Sequence, residues 1–309
     1  MTEQSDYDSP WKEAIEVFFR DFMDFFFPAI AHKIDWSKTI EFKDKEFQKI
    51  VRDATKGRRY SDKLIRVFSV EGERVSVIIL IEVQSDHDTD FPERMFTYYY
   101  RIYDKYSDPV TSLAIIADES ESWKPDSFKQ EQWGCKVNFK FPISKLKSIG
   151  KDMDQLLSKN NPFALITAAH LMSKELKQDD EKLFDWKWRL IKLLYEKNYT
   201  KEQILNLYRF IDWIMILPKH MERKLNTKLQ DYEEENKMPY VTTAERIGIE
   251  KGIEKGIEKG EFIGKIQVYQ QVMGYFVETK ESLEKQNIEE LKNKLKLLEE
   301  DWVKFQSFE

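Results

Sequence analysis

The sequence has one cysteine, four histidines and no long apolar stretch among its 309 residues. The single thiol, Cys135, excludes an intrachain disulfide framework and a cysteine-rich zinc module, and we expect it to be a small core residue. The longest apolar stretch, residues 75–83, is too short to span a bilayer, which needs about 20 residues. Residues 1–10 lack the basic and apolar regions of a secretory signal. We therefore expect a cytoplasmic protein with no membrane partner.

Positive charge is also in deficit, because 50 lysines and arginines face 56 aspartates and glutamates. The chain as a whole is not a basic coat for nucleic acid, so any DNA or RNA binding requires a local positive surface. Aromatic residues make up 14% of the sequence, which argues against disorder because they supply core. The length suggests about two domains.

The first half of the sequence alternates helix and strand signals. Apolar residues three or four apart predict helices, and β-branched runs predict strands. In chain order we predict a helix over 11–31 that Pro28 ends or kinks, a partly helical segment over 39–55, strands over 64–68 and 75–83, a helix over 92–106, and strands over 110–117 and 137–141. This order predicts an α/β fold with a small mixed β-sheet flanked by helices.

Strand signals stop after about residue 142, and the second half reads as α-helical. Asn161 followed by Pro162 is typical of a helix N-terminus, and Thr200 with Gln203 forms a capping box. We predict three regions: an α/β domain over 1–145, a helical domain over 146–240, and a C-terminal region over 241–309 that contains a repeat and further helices.

The repeat at 248–260 reads Gly-Ile-Glu-Lys three times and closes at Gly260. A period of four is close to one helical turn, but each glycine costs about 0.8–1.0 kcal/mol relative to alanine. Either the repeat packs against a partner helix and mediates self-association, or it is a weakly helical hinge. A final amphipathic helix is predicted over 283–302.

Polar residues interrupt the strand pattern at one place. Asp62 stands at the head of the first predicted strand, and Glu82 and Gln84 stand at the end of the second. If the two strands pair as a hairpin, Asp62 and Glu82 lie near its open end. Mg²⁺ prefers oxygen ligands of this kind and would activate a water for attack on a phosphate. The alternative is a pair of ordinary solvated carboxylates.

Several segments together resemble the recombination-promoting nuclease family, whose YhgA-like members are named as transposases and which belongs to the PD-(D/E)xK nuclease superfamily. The specific part is Ile81-Glu82-Val83-Gln84-Ser85 followed by the helix that contains Arg94-Met95. Supporting matches are Asp62-Lys63-Leu64-Ile65-Arg66-Val67, Asn161-Pro162-Phe163-Ala164, Phe210-Ile211-Asp212-Trp213, Leu217-Pro218 and Met238-Pro239-Tyr240. The resemblance implies a restriction-endonuclease-like core.

The resemblance also implies roles for individual residues. Asp62 and Glu82 would be the metal ligands, for Mg²⁺ or Mn²⁺. Gln84 takes the place of the superfamily lysine and could orient a water, although it carries no positive charge. Lys63 could supply that charge, but strand alternation places it on the opposite face. Glu46 is the first candidate for an upstream acid, and Glu41 is the second.

Four basic residues are candidates for contact with DNA phosphates. Lys56, Arg58 and Arg59 form a basic turn just before Asp62, and Arg94 lies on the helix that follows Gln84. A solvated turn and ordinary ion pairs are the alternatives. The acidic loop around His87 could bind a second cation or simply be solvated.

These observations favour a metal-dependent DNA endonuclease, linked by the resemblance to recombination or mobile elements. We expect double-stranded DNA as substrate with little sequence specificity, since no helix-turn-helix or zinc finger is evident. We also expect a homo-oligomer. The alternative is a catalytically inactive, nuclease-like interaction protein that oligomerises through its C-terminal region, and an RNA substrate is a third possibility.

Overall fold

The structure is a computed structural model that describes residues 8–43, 63–70, 76–84, 87–120, 122–236 and 243–306. Its strands are β1 (Glu41–Phe42), β2 (Lys63–Phe68), β3 (Ser76–Gln84), β4 (Val110–Ile116), β5 (Ser127–Gln132), β6 (Cys135–Lys140) and β7 (Ile143–Lys145). Its helices are α1 (Asp8–Val17), α2 (Phe19–Phe26), α3 (Pro28–Ala31), α4 (Phe91–Tyr106), α5 (Leu146–Ile149), α6 (Met153–Ser158), α7 (Pro162–Glu175), α8 (Asp180–Glu196), α9 (Lys201–Ile214), α10 (Lys219–Glu235), α11 (Thr243–Val272), α12 (Lys280–Glu284) and α13 (Ile288–Gln306).

The main sheet has five strands in the order β1-β2-β3-β4-β7. The first three strands pair antiparallel, and β3, β4 and β7 pair parallel. Helix α4 connects β3 to β4, as a parallel connection requires. The expected α/β class and the mixed sheet are therefore confirmed, and the strands predicted over 64–68 and 75–83 pair antiparallel.

Helix α4 covers one face of this sheet with an apolar stripe. Phe91, Met95, Tyr98 and Ile102, spaced three or four residues apart, are buried against the sheet. Pro92 lies in the first turn of the helix, where its missing N–H costs nothing, and Ser107 ends the helix in a left-handed conformation. The helix predicted over 92–106 is confirmed.

The N-terminal segment forms three short helices instead of the single helix predicted over 11–31. Phe18 leaves helical geometry between α1 and α2, and Pro28 begins α3 after a break at Phe27. Trp11 is fully buried, and its ring packs against Phe163 of α7 and Phe210 of α9. The aromatic residues of this segment thus join the first helix to the helical part of the chain.

The helical part follows the predicted capping chemistry. The Asn161 side chain accepts a hydrogen bond from the backbone N–H of Phe163, with Pro162 at the first helical position of α7. Thr200 and Gln203 form the expected capping box at the start of α9. These side chains satisfy backbone donors that a helix N-terminus leaves without partners.

Two sequence expectations about strands are wrong. The segment over 137–141 does not join the main sheet, because β6 pairs with β5 in a separate two-stranded hairpin. Strand signals also continue past residue 142, since β7 adds to the main sheet beside β4. Cys135, expected in the core, is exposed at the end of this hairpin.

The chain divides into two compact units, Met1–Leu229 and Gln230–Glu309. In the second unit, helix α11 continues through the repeat at 248–260 without a break. Its later residues Ile263 and Ile266 pack against Leu291 and Leu295 of α13. A helical repeat is therefore what the backbone adopts, while our finer boundaries at 145 and 240 stay predictions. No helix among the described residues is long and apolar enough to cross a membrane.

Candidate functional site

The strand β3 is the central strand of the main sheet, and two polar residues, Glu82 and Gln84, lie at its carboxyl end. Glu82 is the Cα partner of Ala114 in β4, and Gln84 is the partner of Ile116. Val83 between them is buried. In open α/β sheets, ligands bind at the carboxyl ends of parallel strands. The structure thus places Glu82 and Gln84 at the end of the sheet where a ligand site is expected.

Asp62, the other predicted metal ligand, lies outside the described residues. So do Glu46 and the predicted basic turn of Lys56, Arg58 and Arg59. The last pair in the β2–β3 ladder joins Lys63 to Ile81. Asp62 precedes Lys63 in sequence, and Glu82 follows Ile81.

Lys63 does not offer a charge to this site. Its side chain is buried, and its ammonium donates to Glu16 Oε2 of α1 at 2.8 Å. The same ammonium lies 5.4 Å from the ring centroid of Phe42. Lys63 therefore ties the first helix to the start of β2. Glu41, the second candidate for an upstream acid, forms an ion pair with Lys43 at 2.9 Å, and hydrogen bonding to Lys43 lowers the pKa of Glu41.

Arg94, a candidate for phosphate contact, forms an ion pair with Asp88 at the start of α4. Burial alone would raise the pKa of Asp88, but hydrogen bonds from Arg94 and the Asp90 backbone lower it overall. His87 lies against Trp123, with ring centroids 4.7 Å apart. In the described part of the loop, Asp88 therefore binds the Arg94 guanidinium.

A buried ion pair that sequence reasoning missed lies in the same region of the sheet. Lys145 Nζ of β7 donates to Asp118 Oδ1 at 2.8 Å and to the Trp123 carbonyl at 2.9 Å. Both charged side chains are buried. Lys145 is the Cα partner of Ile116, which is the partner of Gln84. The three residues form one row across the parallel strands.

Two further lysines bind the segment that follows β4. Lys147 Nζ donates to the Glu119 carbonyl at 2.9 Å, and Lys174 Nζ donates to the Ala117 carbonyl at 2.9 Å. Together with Lys145, they fix the backbone beside the end of β4. One signal could have found this region, because Asp118 ends the apolar run of β4 much as Glu82 interrupts that of β3.

Two buried polar groups of the helical part were also missed. The Lys187 ammonium donates to Asp212 Oδ1 and Glu222 Oε1, each at 2.7 Å. Burial would lower the pKa of Lys187, but these two carboxylates raise it overall; burial raises the pKa of Glu222. His170 Nδ1 accepts a hydrogen bond from the Trp11 indole at 3.1 Å, and complete burial lowers the pKa of His170 to about 3.

A groove of about 280 Å³ lies between α1, the start of α2 and α9. Its walls are mostly apolar, with Val17, Phe18, Phe210 and Trp213, and Glu16 also lines it. It contains none of the residues that the sequence assigns to chemistry.

The donor set that the resemblance implies suits a hard cation. Carboxylate and amide oxygens are ligands that Mg²⁺ accepts, and it commonly needs only one or two carboxylates beside water and phosphate. Among the described residues, no group of three histidine, cysteine or acidic side chains could hold a metal ion. The implied pair of Asp62 and Glu82 depends on residues beyond that part of the chain.

No family model matches the chain, and no curated protein or solved structure matches it either.

Proposed function

We propose that the chain is a metal-dependent endonuclease that hydrolyses phosphodiester bonds in double-stranded DNA with little sequence specificity. One observation supports the proposal: the last pair of the β2–β3 ladder joins Lys63 to Ile81, the residues next in sequence to Asp62 and Glu82. In this proposal, two carboxylates from adjacent strands share one end of the sheet. This is also where the parallel strands β3 and β4 end.

The proposed fold is the finer form of the observed one. We propose that the hairpin of β2 and β3, the helix α4 and the parallel strand β4 correspond to the restriction-endonuclease-like core that the resemblance implies. Links to recombination or mobile elements, a homo-oligomeric state and a cytoplasmic location belong to the same proposal.

Asp62 and Glu82 hold the metal in this proposal, with Mg²⁺ or Mn²⁺ as the ion. When bound, the ion supplies Lewis-acid stabilisation of phosphate charge and a more acidic water. Gln84 orients the attacking water or a phosphate oxygen by hydrogen bonding. Lys145, in the row through Gln84, is a positioning residue that fixes the segment after β4 through Asp118.

Cleavage of supercoiled plasmid tests the proposal, with Mg²⁺, Mn²⁺, Ca²⁺ or EDTA in parallel reactions. We expect nicking with Mg²⁺ or Mn²⁺, none with EDTA, and a loss of at least about 100-fold in Asp62→Asn and Glu82→Gln, because each change removes a charged metal ligand. Asp154→Asn is the matched control, since Asp154 is an exposed carboxylate on α6. Its activity should equal that of the unmodified chain.

Three results would count against the proposal. Equal activity in all four proteins would mean that the nuclease site is elsewhere or that the activity is a contaminant. Cleavage of single-stranded or structured RNA in preference to plasmid would replace DNA with RNA as the substrate. Absence of cleavage with either metal, in protein whose circular dichroism shows it folded, would favour the non-catalytic alternative.

The non-catalytic alternative is an interaction protein that self-associates through its second unit. Exposed apolar side chains in that unit favour it, with Phe276 85% exposed near Val272 and Tyr275. Light scattering of the full chain and of a chain lacking residues 248–260 tests self-association. A monomeric mass for both proteins would contradict it.

A further inference from the structure

The β5–β6 hairpin is anchored at one end and exposed at the other. At its base, the Phe128 ring stacks on Phe96 of α4 with centroids 5.1 Å apart and planes at 15°. Phe139 lies 4.9 Å from Tyr99 of the same helix. Beyond these rings, residues 129–136 are all exposed. At about 3.3 Å per residue, the ribbon extends more than 10 Å past its anchor.

The turn at the far end carries an unusual residue. Gln132 and Cys135 form the last pair, so Trp133 and Gly134 alone make the turn, with φ values of 49° and 84°. Two positive φ values are typical of a type I′ turn, which favours Asn-Gly because most side chains are strained there. Trp133 nonetheless adopts this backbone conformation, and its side chain is 97% exposed. Packing among the described residues does not account for an indole at this position.

The hairpin is locally basic on an acidic chain. Its residues 127–140 contain three lysines and one glutamate, whereas the whole chain has a formal charge of −6. Lys129, Lys136 and Lys140 alternate with other residues so that they share one face of the ribbon with Glu131. Lys136 pairs with Glu131 at 2.8 Å, and both side chains are exposed. Because exposed ion pairs contribute little to stability, a DNA phosphate can replace the Glu131 carboxylate as the partner of Lys136.

We propose that this hairpin is a DNA-binding element of the molecule. The two-stranded ribbon enters a groove of duplex DNA, the lysine face contacts phosphates, and the Trp133 indole inserts against the bases. Two-stranded ribbons of DNA-binding proteins enter either the major or the minor groove. Apolar side chains inserted at a base step unstack it and bend the duplex. The inference rests on the proposed function for its choice of DNA as the partner.

Binding of a fluorescein-labelled 30-base-pair duplex, followed by anisotropy in EDTA, separates contact from cleavage. Trp133→Asn removes the indole and leaves a residue that tolerates positive φ, so the turn should be at least as stable. We expect about 10-fold weaker binding in this variant, because the indole no longer stacks on the bases. Trp133→Phe should recover most of the affinity. Ile216→Ala, which removes another exposed apolar side chain, should bind as the unmodified chain does.

The charge contribution has its own matched pair. Lys136→Gln should lower the slope of log affinity against log salt by about 0.9, the value for one phosphate contact. Lys182→Gln is the control, because Lys182 is equally exposed on α8 and pairs with Asp179 at 2.8 Å. That variant should keep the original slope.

Unchanged affinity in Trp133→Asn, or no duplex binding by the unmodified chain, would overturn the inference. A change in that variant's oligomeric mass or in its binding to anionic vesicles, with DNA affinity intact, would assign the hairpin to another partner and would also overturn it. If the chain cleaves plasmid but Trp133→Asn binds the duplex as tightly as the unmodified chain, only the DNA-binding role of the hairpin is rejected. Hairpin-dependent binding without metal-dependent cleavage would reject only the proposed nuclease.

Discussion

The local sequence around Lys187 does not indicate that this lysine is buried. Lys187 has no exposed surface, and its neighbours Asp212 and Glu222 come from two other helices. Removing one member of such a cluster leaves a buried charge without compensation, which typically costs about 3–5 kcal/mol. The cluster therefore selects one arrangement of α8, α9 and α10. Asp212 belongs to one of the segments that support the family resemblance, and the structure gives it this packing role.

His170 predicts a specific pH dependence of stability. Its pKa in the folded chain is about 3, well below the ordinary value of 6.5, because burial disfavours the imidazolium. Unfolded protein takes up this proton as the pH falls through 6.5, so the stabilising effect is full above that value and is lost towards 3. We expect His170→Gln to remove about 2 kcal/mol of the stability difference between pH 8 and pH 5. Urea unfolding at both values measures this difference.

His32→Gln is the control for this measurement, since His32 is exposed at the end of α3. It should leave the difference between pH 8 and pH 5 unchanged. If His170→Gln retained the whole pH dependence, the buried imidazole would not be the source of that dependence.

At the scale of elements, side-chain caps decide where helices begin. Asn161 accepts from the Phe163 N–H, and its own Nδ2 donates to the Asp21 carbonyl at 3.0 Å. One amide thus starts α7 and attaches it to α2. We expect Asn161→Ala to lower the free energy of unfolding by about 1–2 kcal/mol, measured by urea denaturation.

Asn161→Asp distinguishes the two contacts. Aspartate keeps the cap but has no amide donor for Asp21, so we expect a smaller loss than with alanine. An equal loss in the two variants would show that the bond to α2, rather than the cap, carries the stabilisation.

Elements with strong local signals were predictable, and those that depend on distant partners were not. The strands β2 and β3, the helix α4 and the two caps follow from β-branched runs, apolar spacing and capping residues. The break at Phe18 was missed because the apolar pattern continues across it. Strand β7 has only three residues, too few to show a period. It exists because β4 offers an edge.

The candidate site shows the same division. The sequence pattern correctly placed Glu82 and Gln84 at the end of a strand, since they interrupt an apolar run. The buried pair of Lys145 and Asp118 could not be predicted, because it requires β7 to lie beside β4 across 27 residues of chain. Roles for Asp62 and Glu46 remain predictions.

At the scale of the whole molecule, each compact unit has a hydrophobic cluster of its own. Leu291, a member of the cluster in the second unit, is fully buried, and so is Ile211 in the first unit. We expect two calorimetric transitions, with Leu291→Ala lowering one and Ile211→Ala lowering the other, because each leaves a cavity worth about 2–5 kcal/mol.

Leu297→Ala provides the control, because Leu297 lies on α13 like Leu291 but is exposed. It should shift neither transition by more than about 0.5 kcal/mol in stability. A single transition lowered by both core substitutions would show that the two units unfold together.

The exposed hairpin turn also limits how the protein can be cross-linked. Cys135 is the chain's only thiol, and it closes the turn beside Trp133. Because the chain has one thiol, each molecule can form only one disulfide. Oxidation can therefore join two chains tip to tip through a disulfide, and the product has no further thiol through which to grow.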